Sequence, residues 1–345
     1  MSLWLNFLIM FIAKDINQFK ILFVNKLKNM LSDDELGAFI LVLANSHQDE
    51  FLKSELDDDL KKTFSALKRK FSAGKIAAAP DDVDVFERLL DVELDDIPVW
   101  QYNNIGDWDI AYNPIRQLRP ARASSQILSS IKQPYDEKKF HFNKPFLKPE
   151  ILWEGISDGV NARVLYNKFP FSEYHLLIVL SPENNRSQLL TRDAHKNVSS
   201  LVVAMSEVLP GFGIGYNSLA AGASVNHFHF QGFVREADFS IEKSQWRHNG
   251  GVEEYPLEVS CFSDADLAWE YLQQLTNDDI AYNCLYRDDR CYVVPRKYQG
   301  TVVLPDWLQG AGWIDVAGAI TVSDVVVFNE LEAQDIYSGL GLLKQ

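Results

Sequence analysis

The chain begins with an apolar run at residues 3–13 (LWLNFLIMFIA), which stops at Lys14 and Asp15. A bilayer-spanning helix takes about 20 apolar residues, so this run is too short to cross one. No basic residue precedes it and no small-residue cleavage site follows, which argues against a signal peptide. From Ile16 on, Phe19, Leu22, Phe23, Leu27 and Met30 recur at helical spacing. They predict an amphipathic helix, either docked on the rest of the protein or an extension ahead of an alternative start at Met30. Ser32-Asp33-Asp34-Glu35 reads as a capping box for the next helix. Residues 33–73 read as helical, with Leu52, Leu56, Leu60, Phe64, Leu67 and Phe71 three or four apart and charges on the opposite face. Residues 77–82 (AAAPDD) make a turn, and Val83 to Val92 a short helix. Residues 1–107 are therefore expected to form a helical N-terminal region.

After Trp108 the pattern changes to short apolar runs with strand-like composition. Val164–Tyr166 and His175–Leu180 read as strands joined by a turn at Asn167-Lys168-Phe169-Pro170. A helix at about 193–208 leads to a glycine-rich stretch at 213–231. A second series follows: a helix at 264–275, two strands meeting at Asp288-Asp289, another strand at GWIDVAGAITVSD, and a final helix at 330–343. The fold class expected is α+β, with a unit at 108–240 and a second, related unit at 241–345.

The chemistry concentrates in Gly213-Ile214-Gly215-Tyr216-Asn217-Ser218-Leu219-Ala220-Ala221-Gly222-Ala223-Ser224-Val225-Asn226-His227-Phe228-His229-Phe230-Gln231, which holds two of the chain's seven histidines. On a strand, His227, His229 and Gln231 would share one face, while Phe228 and Phe230 anchor the other. The small residues before them would let backbone N–H groups approach an anion. Histidine attacks phosphorus well near neutral pH, provided one ring nitrogen is free and the other held. Glutamine at 231 can donate to a phosphoryl oxygen but cannot titrate. That favours transfer to a second phosphorylated acceptor over hydrolysis.

A bare His-x-His pair also fits a metal site or an ordinary hydrogen-bonded pair. Metal is the weaker reading, because a third ligand would be remote and Gln231 suits soft metals poorly. Arg116, Arg119 and Arg122 fall close together in NPIRQLRPARASSQ, and arginine suits bidentate contact with phosphate.

The string GYNSLAAGASVNHFHFQ resembles the signature of the transferase branch of the histidine-triad superfamily, H-x-H-x-Q. It is most similar to the GDP-L-galactose and GDP-D-glucose phosphorylases. The resemblance implies two histidine-triad-like units with antiparallel sheets, the second degenerate. It implies His229 as the nucleophile, His227 as its positioning partner and Gln231 on the α-phosphate, with Asn217 and Ser224 contributing to the phosphate site. Arg119 and Arg122 lie in a segment similar to the branch's arginine-bearing phosphate loop. QPYDEKKFHFNKPFLKPEILW, residues 133–153, is similar to a QPFD-x-x-KFNF segment, with His141 where asparagine is usual; packing is its expected role. Asn167-Lys168-Phe169-Pro170 resembles the Asn-Asp-Phe-Pro turn of uridylyltransferases, implying Asn167 and Phe169 at the base. The implied reaction is phosphorolysis of a GDP-hexose through a nucleotidyl-histidine, with inorganic phosphate as co-substrate and no other cofactor or metal. Diadenosine tetraphosphate phosphorylase, a non-catalytic nucleotide-binding protein and a metal-dependent hydrolase are the alternatives. Arg287, Arg290, Arg296 and Lys297 are further cations, Arg287 and Arg290 expected to be solvated.

Composition narrows the partners. The 345-residue chain has a formal net charge of −15, which disfavours nucleic acid and anionic membranes. An anionic substrate therefore requires a local basic cluster. Cys261, Cys284 and Cys291 show no CxxC pairing, and a reducing, cytoplasmic setting is expected. The expected small-molecule partners are a nucleotide sugar or dinucleotide and phosphate.

Overall fold

The computed structural model describes residues 11–33, 35–119, 128–157 and 159–345. Its centre is an eight-stranded sheet in the order β3-β4-β5-β7-β6-β9-β10-β8. The strands are β3 (Ile151–Ser157), β4 (Val160–Tyr166), β5 (Leu176–Leu180), β6 (Phe212–Asn217), β7 (Phe230–Val234), β8 (Ser260–Phe262), β9 (Ala281–Arg287) and β10 (Arg290–Arg296). Every neighbouring pair is antiparallel. The α+β expectation holds. Segments 108–240 and 241–345 contribute strands to this one sheet, joined where β6 pairs with β9.

The two-residue period of the strands separates two cores. Val164 and Tyr166 of β4, Leu176 and Ile178 of β5, Phe212, Ile214 and Tyr216 of β6, and Tyr282, Cys284 and Tyr286 of β9 face the larger core. That face is covered by helices α1 (Ile16–Met30), α2 (Leu36–Ser46), α3 (Glu50–Ser72), α4 (Pro80–Leu89), α5 (Arg192–Ser206) and α6 (Ala265–Asn277). On the opposite face, Phe233, Leu285, Tyr292 and Val294 meet the segments after β7 and after β10. Gly213 and Gly215 alternate with the large residues of β6. A Cβ on Gly213 would lie 2.3 Å from the Phe233 ring, and one on Gly215 would lie 2.2 Å from Trp313. Two rings thus occupy the space that side chains would fill.

The first helix is docked. Asp15 caps it by accepting from the Gln18 N–H. Phe19 and Phe23 pack on Tyr174, and Phe23 also packs on Tyr166. The Tyr166 hydroxyl donates to the Phe23 carbonyl at 2.6 Å. Among the described residues, no helix is long and apolar enough to cross a membrane.

Four local expectations are corrected. The helical stretch at 33–73 divides at residues 47–49, because the Asp49 carboxylate caps a new helix through the Leu52 N–H at 2.7 Å. The capping box before α2 does not form: Glu35 is the N-cap and makes no side-chain cap bond. The N-terminal region is not helical to 107. Gln101–Ile105 (β1) pairs with Trp108–Tyr112 (β2) across the two-residue turn Gly106-Asp107, with Gly106 at φ +62°. GWIDVAGAITVSD is not a single strand. The Asp315 carboxylate accepts the Gly312 N–H and starts a short helix, α7 (Trp313–Val316), and Gly318 at φ +86° ends it. Strand β11 (Ala319–Val322) then pairs parallel to β2. A short helix, α8 (Val325–Glu330), precedes the C-terminal helix α9 (Ala333–Gly341), which falls within the expected 330–343.

Candidate active site

The histidine pair lies at the entry to β7 rather than within its ladder. The strand begins at Phe230, so His227 and His229 precede it, contrary to the expected strand. Other partners supply the missing ladder bonds. The Phe228 N–H donates to the Arg186 carbonyl at 2.8 Å. The side chain of Gln188 grips His229: Oε1 accepts the His229 N–H at 2.8 Å, and Nε2 donates to the His229 carbonyl at 2.9 Å. The same Nε2 donates to the Asn217 carbonyl, tying the end of β6 to the histidine. The face assignment of the aromatic pair holds, with Phe228 and Phe230 in the larger core beside Tyr216.

The hydrogen bonds give the two rings opposite tautomers. His229 donates from Nδ1 to the His227 carbonyl at 2.8 Å. Its Nε2 therefore carries the lone pair, and it makes no hydrogen bond among the described residues. His227 instead accepts at Nδ1 from the Phe142 N–H at 3.4 Å, which leaves the proton on Nε2. One ring presents an acceptor and its neighbour a donor. Burial pushes both pKa values down to about 4; for His227 the neighbouring His229 and His141 add to the effect. Both rings are neutral at pH 7.

Phe142 packs against the His229 ring with centroids 4.8 Å apart, and Tyr135 and His141 flank His227 at 5.6 and 5.9 Å. His141 is buried and accepts the Asn143 N–H, in line with its expected packing role. Arg163 holds this wall in place, donating to the Phe142 carbonyl at 3.0 Å and to Asn143 Oδ1 at 2.9 Å.

Gln231 is on β7, opposite Leu177 and Gly215, and its Oε1 accepts from the Trp313 indole at 2.6 Å. It also lies beside His175, whose pKa burial lowers to about 3, with Arg116, His229 and Arg119 acting in the same direction. His175 is neutral and structural: its Nδ1 accepts the Phe171 N–H at 3.3 Å. Phe171 stands edge-on to His175 at 4.2 Å and beneath the Arg116 guanidinium at 5.1 Å.

Arg116 is a cation that acts on His175. Its Nη1 is buried without a hydrogen-bond partner among the described residues. Burial, and then the charge of Arg119, lower its pKa to about 9, so it keeps its charge at neutral pH. The Asp315 carboxyl lies near both Arg116 and Arg296, and burial raises its pKa. An unpaired buried guanidinium N–H beside an imidazole and an amide is suited to an oxyanion.

The remaining predicted residues are placed as follows. Asn217 is buried, and its Oδ1 accepts both the Trp313 N–H at 2.7 Å and the Asn283 amide at 2.6 Å. Asn167 closes its own turn by accepting the Phe169 N–H at 3.0 Å, and its Nδ2 lies 3.3 Å from His175 Nε2. Phe169 is half-buried against the larger core. Lys168 pairs with Asp82 of α4 at 2.6 Å. Ser224 and Arg119 are exposed. Arg122 lies outside the described residues. Gly222, at φ +98°, accommodates another chain segment, since a Cβ there would lie 2.7 Å from the Ala311 carbonyl. Arg287 is not solvated as expected: it is buried and donates to the Gly211 and Arg235 carbonyls. Arg296 is also buried and donates to the Ala311 carbonyl at 2.7 Å. Gln188, Trp313 and Phe142 were not selected from the sequence. They lie 41, 84 and 87 positions from His229, and only Phe142, in the KFHF segment, falls in a pattern the sequence displays.

Most of these residues lie between β2 and β7, the stretch that a family model matches, while Trp313 lies beyond it. Residues 109–233 match the model of the GDPGP1-like N-terminal domain. This chain is 36% identical over 124 residues to GDP-D-glucose phosphorylase 1 of Danio rerio, covering 36% of this chain and 35% of that one. The Homo sapiens protein of the same name is 29% identical over 132 residues, 36% of this chain and 33% of that one. GDP-L-galactose phosphorylase 2 of Arabidopsis thaliana is 27% identical over 209 residues, covering 50% of this chain and 48% of that one. The matches thus span about a third to a half of these relatives. In solved structures, yeast Ap4A phosphorylase Apa2 superposes with a TM-score of 0.52 at 16% identity, over 78% of this chain and 97% of that one. Its complex with Ap4A gives 0.51 at 17% identity, over 78% and 100%. At 16–17% identity this likeness is one of fold.

Proposed function

We propose that this protein is a phosphorolytic nucleotidyltransferase that converts a GDP-hexose and inorganic phosphate to GDP and hexose 1-phosphate. The observation that carries the reading is the His229–His227 bond, which leaves a neutral, uncommitted Nε2 on His229 at neutral pH. Nε2 attacks the phosphorus bonded to guanosine, and a P–Nε2 bond forms as the bond to the bridging oxygen breaks. Hexose 1-phosphate leaves with the bridging oxygen and its electron pair. In the second half-reaction an oxygen of inorganic phosphate attacks the same phosphorus, the P–N bond breaks, and GDP departs. The imidazole returns to its starting form.

The surrounding residues divide the remaining work. His227 Nε2–H and the Gln231 amide donate to the non-bridging oxygens, which gain charge in both transition states. Arg116 and Arg119, with Arg122, serve the phosphates. Asn167 and Phe169 are at the nucleoside end. The relatives named GDP-D-glucose and GDP-L-galactose phosphorylases support a guanine nucleotide sugar over a diadenosine substrate. The deciding experiment incubates the protein with GDP-glucose, GDP-L-galactose or diadenosine tetraphosphate at equal phosphate and follows nucleoside diphosphate release. GDP from a GDP-hexose, absent in His229→Asn, is expected. Faster turnover of diadenosine tetraphosphate, or undiminished turnover in His229→Asn, overturns the reading.

A further inference from the structure

We infer that Trp313, contributed by the C-terminal half of the chain, is a positioning residue that sets which end of the Gln231 amide meets the substrate phosphate. The inference rests on the functional reading above.

An amide side chain can be placed either way round, and the two placements have opposite consequences at a phosphate. With Nε2 forward, glutamine donates to a phosphoryl oxygen. With Oε1 forward, it sets a lone pair against that oxygen and repels it. Here the choice is made by a group that can only donate. The Trp313 indole N–H lies 2.6 Å from Gln231 Oε1. Turning the amide over would set N–H against N–H inside a buried contact, leaving two donors unsatisfied. Oε1 is therefore committed backwards, and both protons of Nε2 face the histidine side. His175 takes neither of them, because its Nδ1 accepts the Phe171 N–H and its Nε2 therefore carries a proton. The Nε2 protons of Gln231 are left for a phosphate on His229.

The tryptophan is itself fixed from three directions. Its backbone N–H donates to Asn217 Oδ1 at 2.7 Å, and Asn283 donates to the same oxygen at 2.6 Å. Its ring stacks on Phe233 with centroids 4.9 Å apart and planes 15° apart. The third support is the bare surface of β6 at Gly215, where a Cβ would lie 2.2 Å from the indole. Trp313 is 1% exposed. Asn217, Gly215 and Gln231 all belong to the 213–231 string, and all converge on a residue 82 positions beyond Gln231. The phosphate-site role expected of Asn217 is recast as indirect: Asn217 holds Trp313, and Trp313 holds Gln231. Trp313 lies outside the GDPGP1-like segment, so that segment alone cannot fix the amide.

The test is a double-mutant cycle on the full chain with Trp313→Phe and Gln231→Ala. Phenylalanine keeps a ring against Phe233 and Gly215 and removes only the donor. Trp313→Phe is expected to lower kcat for phosphate-dependent GDP release about tenfold, with KM for the GDP-hexose changed less than threefold. In the Gln231→Ala background the same substitution should cost less than twofold, because the group it acts through is gone. A tenfold loss in both backgrounds assigns Trp313 a general packing role and overturns the inference, as does full activity in Trp313→Phe. Trp313→His supplies a check if the phenylalanine variant folds poorly: a ring N–H in the same pocket should recover part of kcat, and no recovery in a folded Trp313→His counts against the inference. A wild-type chain that releases no GDP removes the functional reading itself, and the inference with it. Active wild type with an indifferent Trp313→Phe removes only the inference.

Discussion

The His227 carbonyl accepts the Nδ1 proton of His229, and the Nδ1 of His227 accepts the backbone proton of Phe142. Two histidines one residue apart are thereby given different protons to offer. The pair needs no carboxylate to set its tautomers, because backbone groups do so.

Acid should expose the cost of keeping these rings neutral. Burial lowers the pKa of His47, His227 and His229 to about 4 and that of His175 to about 3, against an ordinary value of 6.5. Between pH 6.5 and about 4 the unfolded chain binds protons that the folded chain refuses. Stability is therefore fully present above pH 6.5 and falls as pH drops through that window. Tm measured from pH 7.5 to 4.5 should decline steadily below 6.5. A flat profile would show that these histidines are not buried as described.

Gln188→Leu removes three hydrogen bonds to buried backbone, two to His229 and one to Asn217. Each buried group left without a partner costs about 1–3 kcal/mol. The variant should lose several degrees in Tm and at least tenfold in GDP release. Gln188→Glu, which keeps the acceptor for the His229 N–H, should fall between Gln188→Leu and wild type in Tm. Equal stability of all three proteins by thermal unfolding would refute the clamp.

Arg116→Ala should separate binding from stability. The guanidinium stacks over Phe171 but leaves Nη1 buried and unpaired. Removing it deletes a buried N–H that has no hydrogen-bond partner, so Tm should hold or rise slightly. KM for inorganic phosphate should increase about tenfold or more, in line with a lost charge-assisted contact of about 1.5–3 kcal/mol. Initial rates against phosphate concentration give the answer, and an unchanged phosphate KM would exclude Arg116 from the site.

Gly215→Ala adds a single methyl, 2.2 Å from the Trp313 ring. Overpacking of this kind costs about 1–3 kcal/mol. Displacing the indole should also reduce activity in a way that Gly341→Ala does not, since the Gly341 position is open and its φ is not positive. Denaturant midpoints and GDP release on the two variants test this together.

The sequence made the centre of the site legible and left its supports hidden. His227, His229 and Gln231 stand together in a single string, and the alternation with Phe228 and Phe230 correctly separated core from site. Strand period was equally readable in β4, β5, β9 and β10, where apolar residues alternate between two cores. The strand assignment at 227–229 failed because Gln188, a side chain far away in sequence, replaces the ladder there. Arg287 was read as solvated because nothing local announces the carbonyls of Gly211 and Arg235 that surround it. β1 was missed because five polar-rich residues before Gly106 carry little apolar signal, and the hairpin turn was their main clue. Such errors share one cause: the deciding contact is made across the fold rather than along the chain.

The seam between β6 and β9 has a practical consequence. Cutting after residue 240 would strip β6 of its neighbour along five paired positions, Gly213 to Asn217, and bare a sticky apolar flank. A truncated clone ending there should be recovered mainly in inclusion bodies, and the intact chain should melt in one calorimetric step. Attempts to shorten this protein for crystallography should therefore trim elsewhere.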